Sequence, residues 1–284
     1  MDKKIKIAVI GSGTMGNGIA HISAQSGFKT LLVDINQSQL DDALLTINSN
    51  LDRQLKKNII SSNDKNNTIN NITISSKIND CKDMDLIIEA VPEKFSIKSS
   101  LFKELDAICK KETIFASNTS SISISNLGNQ TNRPDKIIGM HFMNPVPIMK
   151  LVEVIKTLHT SIDTVKVITS LAKIMGKTPV ECNDYPGFIS NRILMPMINE
   201  AIFCLEQNVA KKEAIDDIMK LGMSHPMGPL QLADFIGLDI CLDIMEVLWS
   251  GFNDSKYRPC TLLKTMVSSG LLGKKTGRGF YKYD

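Results

Sequence analysis

The sequence predicts an α/β protein in two parts: helices alternating with the strands of a largely parallel sheet over residues 1–184, then an all-α domain over residues 185–284. Three observations carry that expectation. An apolar strand pattern at residues 5–10 runs straight into Gly11-Ser12-Gly13-Thr14-Met15-Gly16 and an amphipathic helix pattern. Continuous apolar runs, the signature of strands covered on both faces, recur along the first part, with residues 85–91 (DLIIEAV) the clearest. Beyond the turn-rich Asn183-Asp184-Tyr185-Pro186-Gly187 the strand patterns stop and only helical periodicity follows.

The first segment explains itself residue by residue. Gly11 permits a tight strand-to-helix turn, Gly13 lets the backbone approach a ligand, and Gly16 lets the helix pack closely on the strand. The helix N-terminus offers N–H groups and a positive dipole end to phosphates. The helix stops at Gly27, and a second strand ends on Asp34, placed to accept hydrogen bonds from a ribose. Strand, turn, helix, strand and acid in this order and spacing indicate a Rossmann-type dinucleotide-binding domain. An acid at the ribose position favours NAD(H) over NADP(H), because a 2′-phosphate would meet like charge.

Composition bounds the rest. At 284 residues the chain is long enough for two sizeable cores, and 43% hydrophobic with 22% charged residues is ordinary for a globular protein. A net charge of +3 gives no argument for nucleic acid. Six cysteines (Cys81, Cys109, Cys182, Cys204, Cys241, Cys260) show neither CxxC nor metal-ligand spacing, so reduced thiols, no metal and a cytoplasmic home are expected. No apolar run is long enough to span a bilayer, and the strand pattern begins almost at once, so neither membrane insertion nor a leader is expected.

Taken in order, residues 38–58 form a helix pattern whose far end carries Arg53, Lys56 and Lys57 on one side, either a solvated basic face or a grip for a phosphate-bearing carrier. The Asn/Ser-rich tract 61–71 reads as an exposed loop, and 72–75 as a short edge strand. A helix is expected at 96–110 and a strand at 113–116. That strand empties into Ser117-Asn118-Thr119-Ser120-Ser121, which either caps the next helix or supplies short donors at a cleft mouth. Strands at 136–141 and 149–155 flank Asn144-Pro145-Val146-Pro147, and a helix at 164–175 with a strand at 177–180 completes the first domain. Helices are then expected at 189–208, 211–221, 230–252 and 261–268. Leu232, Ile236, Ile240, Ile244 and Leu248 make a broad apolar face, which suggests a homodimer or higher homo-oligomer through these helices.

Of four histidines, His141 alone closes an expected core strand at the ligand-bearing edge. Glu153 is a carboxylate inside an apolar strand pattern; unless that strand is an edge in water, it must be paired or protonated. A link of this length can bring the two together, neutralising the acid and fixing the imidazole's tautomer. A nucleotide fold carrying such a pair points to hydride transfer with histidine moving the proton.

With those residues in view, the chain resembles the short-chain L-3-hydroxyacyl-CoA dehydrogenases, and most of all the bacterial (S)-3-hydroxybutyryl-CoA dehydrogenases of butyrate-type fermentation. The likeness rests on GxGxMGxGIA at Gly11 to Ala20, IEAVPE at Ile88 to Glu93, SNTSS at Ser117 to Ser121, GMHFMNPVPIMKLVEVI at Gly139 to Ile155, PGFISNRIL at Pro186 to Leu194 and KKTGRGFYKY at Lys274 to Tyr283. The resemblance implies that His141 is the acid/base and that Glu153 orients it. Ser120 and Asn191 would hold the reacting oxygen and the thioester region. Asp34, Glu93, Lys98, Ser120, Asn144 and Lys275 would line the cofactor, and Arg53, Lys56 and Lys57 would grip CoA. It also implies a dimer through the helical domain. Two alternatives remain: broader acyl-chain specificity, or a β-hydroxyacid dehydrogenase acting on a free acid, whose acid/base would be lysine.

Overall fold

The computed structural model describes residues 5–283. The chain divides into two compact units, Met1–Asp184 and Tyr185–Asp284.

The first unit is built on one sheet of eight strands: β1 (Lys6–Ile10), β2 (Lys29–Val33), β3 (Ile72–Ser75), β4 (Leu86–Glu89), β5 (Ile114–Ser117), β6 (Ile137–Phe142), β7 (Leu151–Lys156) and β8 (Thr178–Asn183). Their order in space is β3-β2-β1-β4-β5-β6-β7-β8. Every neighbouring pair is parallel except β6 and β7, which run antiparallel. From β1 the chain moves outward to β2 and β3, then returns to lay β4 on the other side of β1. The two halves therefore part between β1 and β4, and ligands of doubly wound sheets sit outside the carboxyl ends of strands at such a point.

The helices that join the strands are α1 (Thr14–Gln25), α2 (Gln37–Lys56), α3 (Ser62–Asn70), α4 (Phe95–Ile108), α5 (Ile124–Gly128) and α6 (Ile162–Ile174). Strand residues such as Ile7, Val9, Ile88 and Ala116 pack against Ile19, Leu40, Ile168 and Leu171 from the helices in one continuous apolar core. All six residues of β6 are buried, because a strand covers each edge and helices cover the faces.

The tract 61–71 is not a loop. It folds as α3, started by a capping box in which Ser61 Oγ accepts from Asp64 N at 3.1 Å and the Asp64 carboxylate accepts from Ser61 N at 2.9 Å. That reciprocal cap satisfies two orphan donors and outweighs the poor helix propensity of the asparagines.

The second unit is helical: α7 (Ser190–Glu206), α8 (Lys212–Gly222), α9 (Pro229–Ile236), α10 (Leu238–Phe252) and α11 (Thr261–Ser268). The single helix expected at 230–252 is two, broken at Gly237, whose φ of +105° lies where side chains other than glycine are strained. The apolar face expected to be left over is largely used within the unit. Ile244 and Leu248 are buried in its core and Leu232 and Ile236 pack against it, while Ile240 is 44% exposed.

Candidate active site

The turn from β1 into α1 has little room for side chains. A Cβ on Gly16 would lie 1.7 Å from the Gly11 carbonyl oxygen, and one on Gly11, at φ +96°, would lie 2.5 Å from that of Ala90. Gly13 differs, since a Cβ there would meet nothing within 4 Å. Its lack of a side chain answers no need of the fold, and it leaves the backbone open to a ligand at the N-terminus of α1. Gly11, Gly13, Thr14, Met15, Asp34 and Val91 are among the residues lining a cleft of about 770 Å³. Asp34 is set within it by three donors: Ser12 N at 2.8 Å and Ser12 Oγ at 2.9 Å to Oδ2, and Asn36 N at 3.0 Å to Oδ1. A bare backbone at a helix N-terminus, a long cleft and an oriented carboxylate fit a dinucleotide.

His141 and Glu153 are register partners on β6 and β7. Residues directly opposite across an antiparallel pair project to the same face. His141 Nδ1 lies 2.7 Å from Glu153 Oε2, with His141 8% and Glu153 2% exposed. β7 lies between β6 and β8, so Glu153 is on an interior strand and not at a water-exposed edge.

The 117–121 run does not cap α5; Ser123 does, accepting from Asn126 N at 3.2 Å. The run instead closes around one oxygen of Glu93. Oε1 accepts from Thr119 Oγ1 at 2.5 Å, Ser120 N at 2.9 Å, Ser121 N and Oγ both at 3.1 Å, and Ser120 Oγ at 3.3 Å. The other oxygen lies 3.2 Å from Lys98 Nζ. Burial alone would raise the Glu93 carboxyl, but the Lys98 charge and these donors outweigh it and hold the carboxyl below its usual range. Asn118 Oδ1 accepts from Phe142 N at 2.9 Å, which ties this turn to the strand bearing His141.

Lys98 also reaches a residue that the sequence reading passed over. Glu89, fully buried at the end of β4, accepts from Lys98 Nζ at 2.6 Å, Ser117 Oγ at 2.6 Å and Val91 N at 2.7 Å. The signal was present, since Glu89 interrupts an apolar strand just as Glu153 does.

The remaining candidates are placed as follows. Asn144 is exposed in the turn after β6. Arg53 and Lys56 lie exposed in the last turn of α2 with Lys57 at its cap, and an Arg53 guanidinium nitrogen donates to Asn50 Oδ1. Asn191 is buried on α7, and Lys275 Nζ is engaged 2.5 Å from Asp239 Oδ2, both in the helical unit. Among the described residues, no cluster of three or more His, Cys, Asp or Glu side chains is placed to hold a metal ion.

The family model for the 3-hydroxyacyl-CoA dehydrogenase NAD binding domain matches residues 6–185, and that for the 3-hydroxyacyl-CoA dehydrogenase C-terminal domain matches residues 187–283. A probable 3-hydroxybutyryl-CoA dehydrogenase of Bacillus subtilis is 54% identical over 279 residues, 98% of this chain and 97% of its own. The 3-hydroxybutyryl-CoA dehydrogenase of Bradyrhizobium diazoefficiens is 51% identical over 98% of this chain and 95% of its own. The crystal structure of (S)-3-hydroxybutyryl-CoA dehydrogenase from Ralstonia eutropha superposes with a TM-score of 0.96 at 47% identity, covering 98% of this chain and 99% of that one. The fold and the sequence likeness thus agree along almost the whole length, and the chain belongs to the 3-hydroxyacyl-CoA dehydrogenase family of oxidoreductases.

Proposed function

We propose that the protein interconverts (S)-3-hydroxybutyryl-CoA and acetoacetyl-CoA with NAD(H) in butyrate or fatty-acid metabolism, with His141 as acid/base. The observation that carries this reading is the 2.7 Å His141–Glu153 contact on the sheet that also carries the dinucleotide cleft. A carboxylate accepts and does not donate, so the imidazole proton sits on Nδ1 and Nε2 is the nitrogen that exchanges a proton with substrate. On oxidation His141 takes the 3-hydroxyl proton, and Glu153 steadies the imidazolium that forms; on reduction His141 returns the proton to the ketone oxygen. The bound cofactor supplies the other half of the chemistry, accepting or delivering the hydride at carbon 3. Ser120 and Asn191 hold the reacting oxygen and the thioester. Asp34 takes the adenosine ribose, and its charge disfavours NADP(H). Glu93, Lys98, Asn144 and Lys275 line the far end of the cofactor.

Arg53, Lys56 and Lys57 form an exposed basic group suited to the phosphates of CoA. The residues beyond 184 shape the acyl cleft and carry a dimer contact; exposed Ile193, Ile218 and Leu221 support the latter. All six cysteines are free thiols, which suits the cytoplasm. A lysine-dependent enzyme acting on a free hydroxy acid has no support in the His141–Glu153 pair.

Steady-state oxidation of NADH with acetoacetyl-CoA, longer 3-ketoacyl-CoAs and free acetoacetate tests the assignment. The C4 thioester should give the highest kcat/KM, free acetoacetate should be inert, and NADPH should be a poor substitute. Turnover of the free acid, or a preference for long chains, contradicts it.

A further inference from the structure

Glu89 takes no part in the proton or hydride transfer, yet it is a fully buried carboxylate two residues from the cleft lining at Val91. Its nearest charge is the ammonium of Lys98, 1% exposed and 2.6 Å away, which in turn lies 3.2 Å from Glu93. Lys98 is thus a single cation shared by two carboxylates, with water excluded from the inner pair. Glu93 is the outer one, with a side chain 37% exposed, directly after the cleft residues Val91 and Pro92. Burial pushes the Glu89 carboxyl up, and the Lys98 charge with hydrogen bonds from Lys98, Ser117 and Val91 offsets that only in part, so the carboxyl stays above its usual range while its 2.6 Å contact with the Lys98 ammonium pairs it as a carboxylate.

We propose that Glu89 is an electrostatic positioning residue of the cofactor site. Its buried carboxylate cancels the charge of Lys98, so Glu93 keeps a full negative charge at the cleft and the cationic, oxidised cofactor is held more tightly relative to the reduced form. The proposal rests on the reading above that Glu93 and Lys98 line the cofactor. The three side chains sum to one negative charge, and in the oxidised cofactor the nicotinamide ring carries a positive charge that the reduced ring lacks. Removing the Glu89 charge therefore weakens the binding of one form against the other, whatever the remaining charges are.

E89Q is the direct test, because glutamine matches glutamate in shape. Its carbonyl accepts from Lys98 and Val91, and its amide donates to the Ser117 hydroxyl. The measurement is the dissociation constant of NAD+ and of NADH for each protein, by calorimetry or fluorescence titration. In E89Q the ratio Kd(NAD+)/Kd(NADH) should rise by about threefold or more. S117A takes a hydrogen bond from Glu89 but leaves its charge, and its ratio should match wild type. The double variant E89Q/K98M removes both charges and leaves the negative charge of Glu93 unopposed, so its ratio should not rise above the wild-type value. A Lys98 contact with the uncharged ribose would weaken both cofactor forms alike and cancel in the ratio.

An E89Q ratio within about twofold of wild type, or an equal shift in S117A, overturns the role of Glu89. If E89Q does not fold, a double-variant ratio raised above wild type does the same. A wild-type protein that binds neither cofactor form contradicts the function proposed above instead, so the two failures are distinguishable.

Discussion

His141 and Glu153 face each other across β6 and β7, imidazole Nδ1 2.7 Å from carboxylate Oε2, on two strands that pair antiparallel inside an otherwise parallel sheet. In the antiparallel register the two side chains lie directly opposite on one face of the sheet. The fold itself, and not a mobile loop, thus sets the separation of imidazole and carboxylate. Each half also answers the other's cost, since the buried carboxylate needs a donor and the imidazole needs a fixed tautomer.

Glu153→Gln keeps the volume and removes the charge. Part of the 10²–10⁴-fold that general acid–base catalysis supplies should go with it, so kcat should fall by about tenfold to a thousandfold. The Kd for NADH should stay within about twofold, because β7, which carries Glu153, lies five strands across the sheet from β2, after which Asp34, the proposed ribose carboxylate, follows. Pre-steady-state kinetics with NADH titration separates the two quantities.

Asp34→Ala removes the carboxylate proposed to accept from the ribose hydroxyls. Losing hydrogen bonds to a charged group costs about 1.5–3 kcal/mol, so NADH should bind about ten- to a hundredfold more weakly, with discrimination against NADPH narrowing in parallel. Unchanged cofactor selectivity would remove Asp34 from the ribose site.

Gly13 and Gly16 should respond differently to the same methyl group. Gly16→Ala drives a Cβ to 1.7 Å from the Gly11 carbonyl oxygen and should lower stability by about 1–3 kcal/mol or more, seen as a lower Tm. Gly13→Ala meets no protein atom within 4 Å, so its Tm should be unchanged. It should nevertheless lose about ten- to a hundredfold in NADH affinity, the cost of a blocked backbone-to-phosphate hydrogen bond.

His21, fully buried on α1 with Nδ1 lacking a hydrogen-bond partner, predicts a pH effect on stability. Burial is the main reason its pKa falls from 6.5 to about 4; Lys177 adds to the fall and Gln25 opposes it. The folded protein therefore prefers the neutral ring. Above pH 6.5 both states are neutral and the contribution is complete. As pH drops towards 4 the unfolded chain takes up the proton first, and roughly 3 kcal/mol of stability is lost. Urea denaturation should show His21→Gln losing that much less than wild type on the same descent.

Much of the candidate site was legible because its residues break local patterns. Glycines at a strand end, a histidine closing an apolar strand and a carboxylate inside one all stand out in a linear reading. The ring of donors around Glu93 was not legible, since it joins groups 26–28 residues apart whose meeting depends on β4 and β5 being neighbours. Glu89 carried the same pattern break as Glu153 but had no histidine to suggest a partner, and its partner Lys98 lies on a helix. The α3 helix was hidden by composition, although Ser61 and Asp64 spell its cap. The break at Gly237 was hidden by an apolar periodicity that continues across it. The ion pair of Lys275 with Asp239 was not legible either, since no local pattern announces it.

The role of His141 is tested most directly by single-turnover reduction of acetoacetyl-CoA by the NADH complex of His141→Gln. Losing the general acid should slow that step by about 10²–10⁴-fold, roughly 3–5 kcal/mol of transition-state stabilisation, with the Kd for NADH nearly unchanged. A variant that reduces the thioester at close to the wild-type rate contradicts the assignment of the proton to this imidazole.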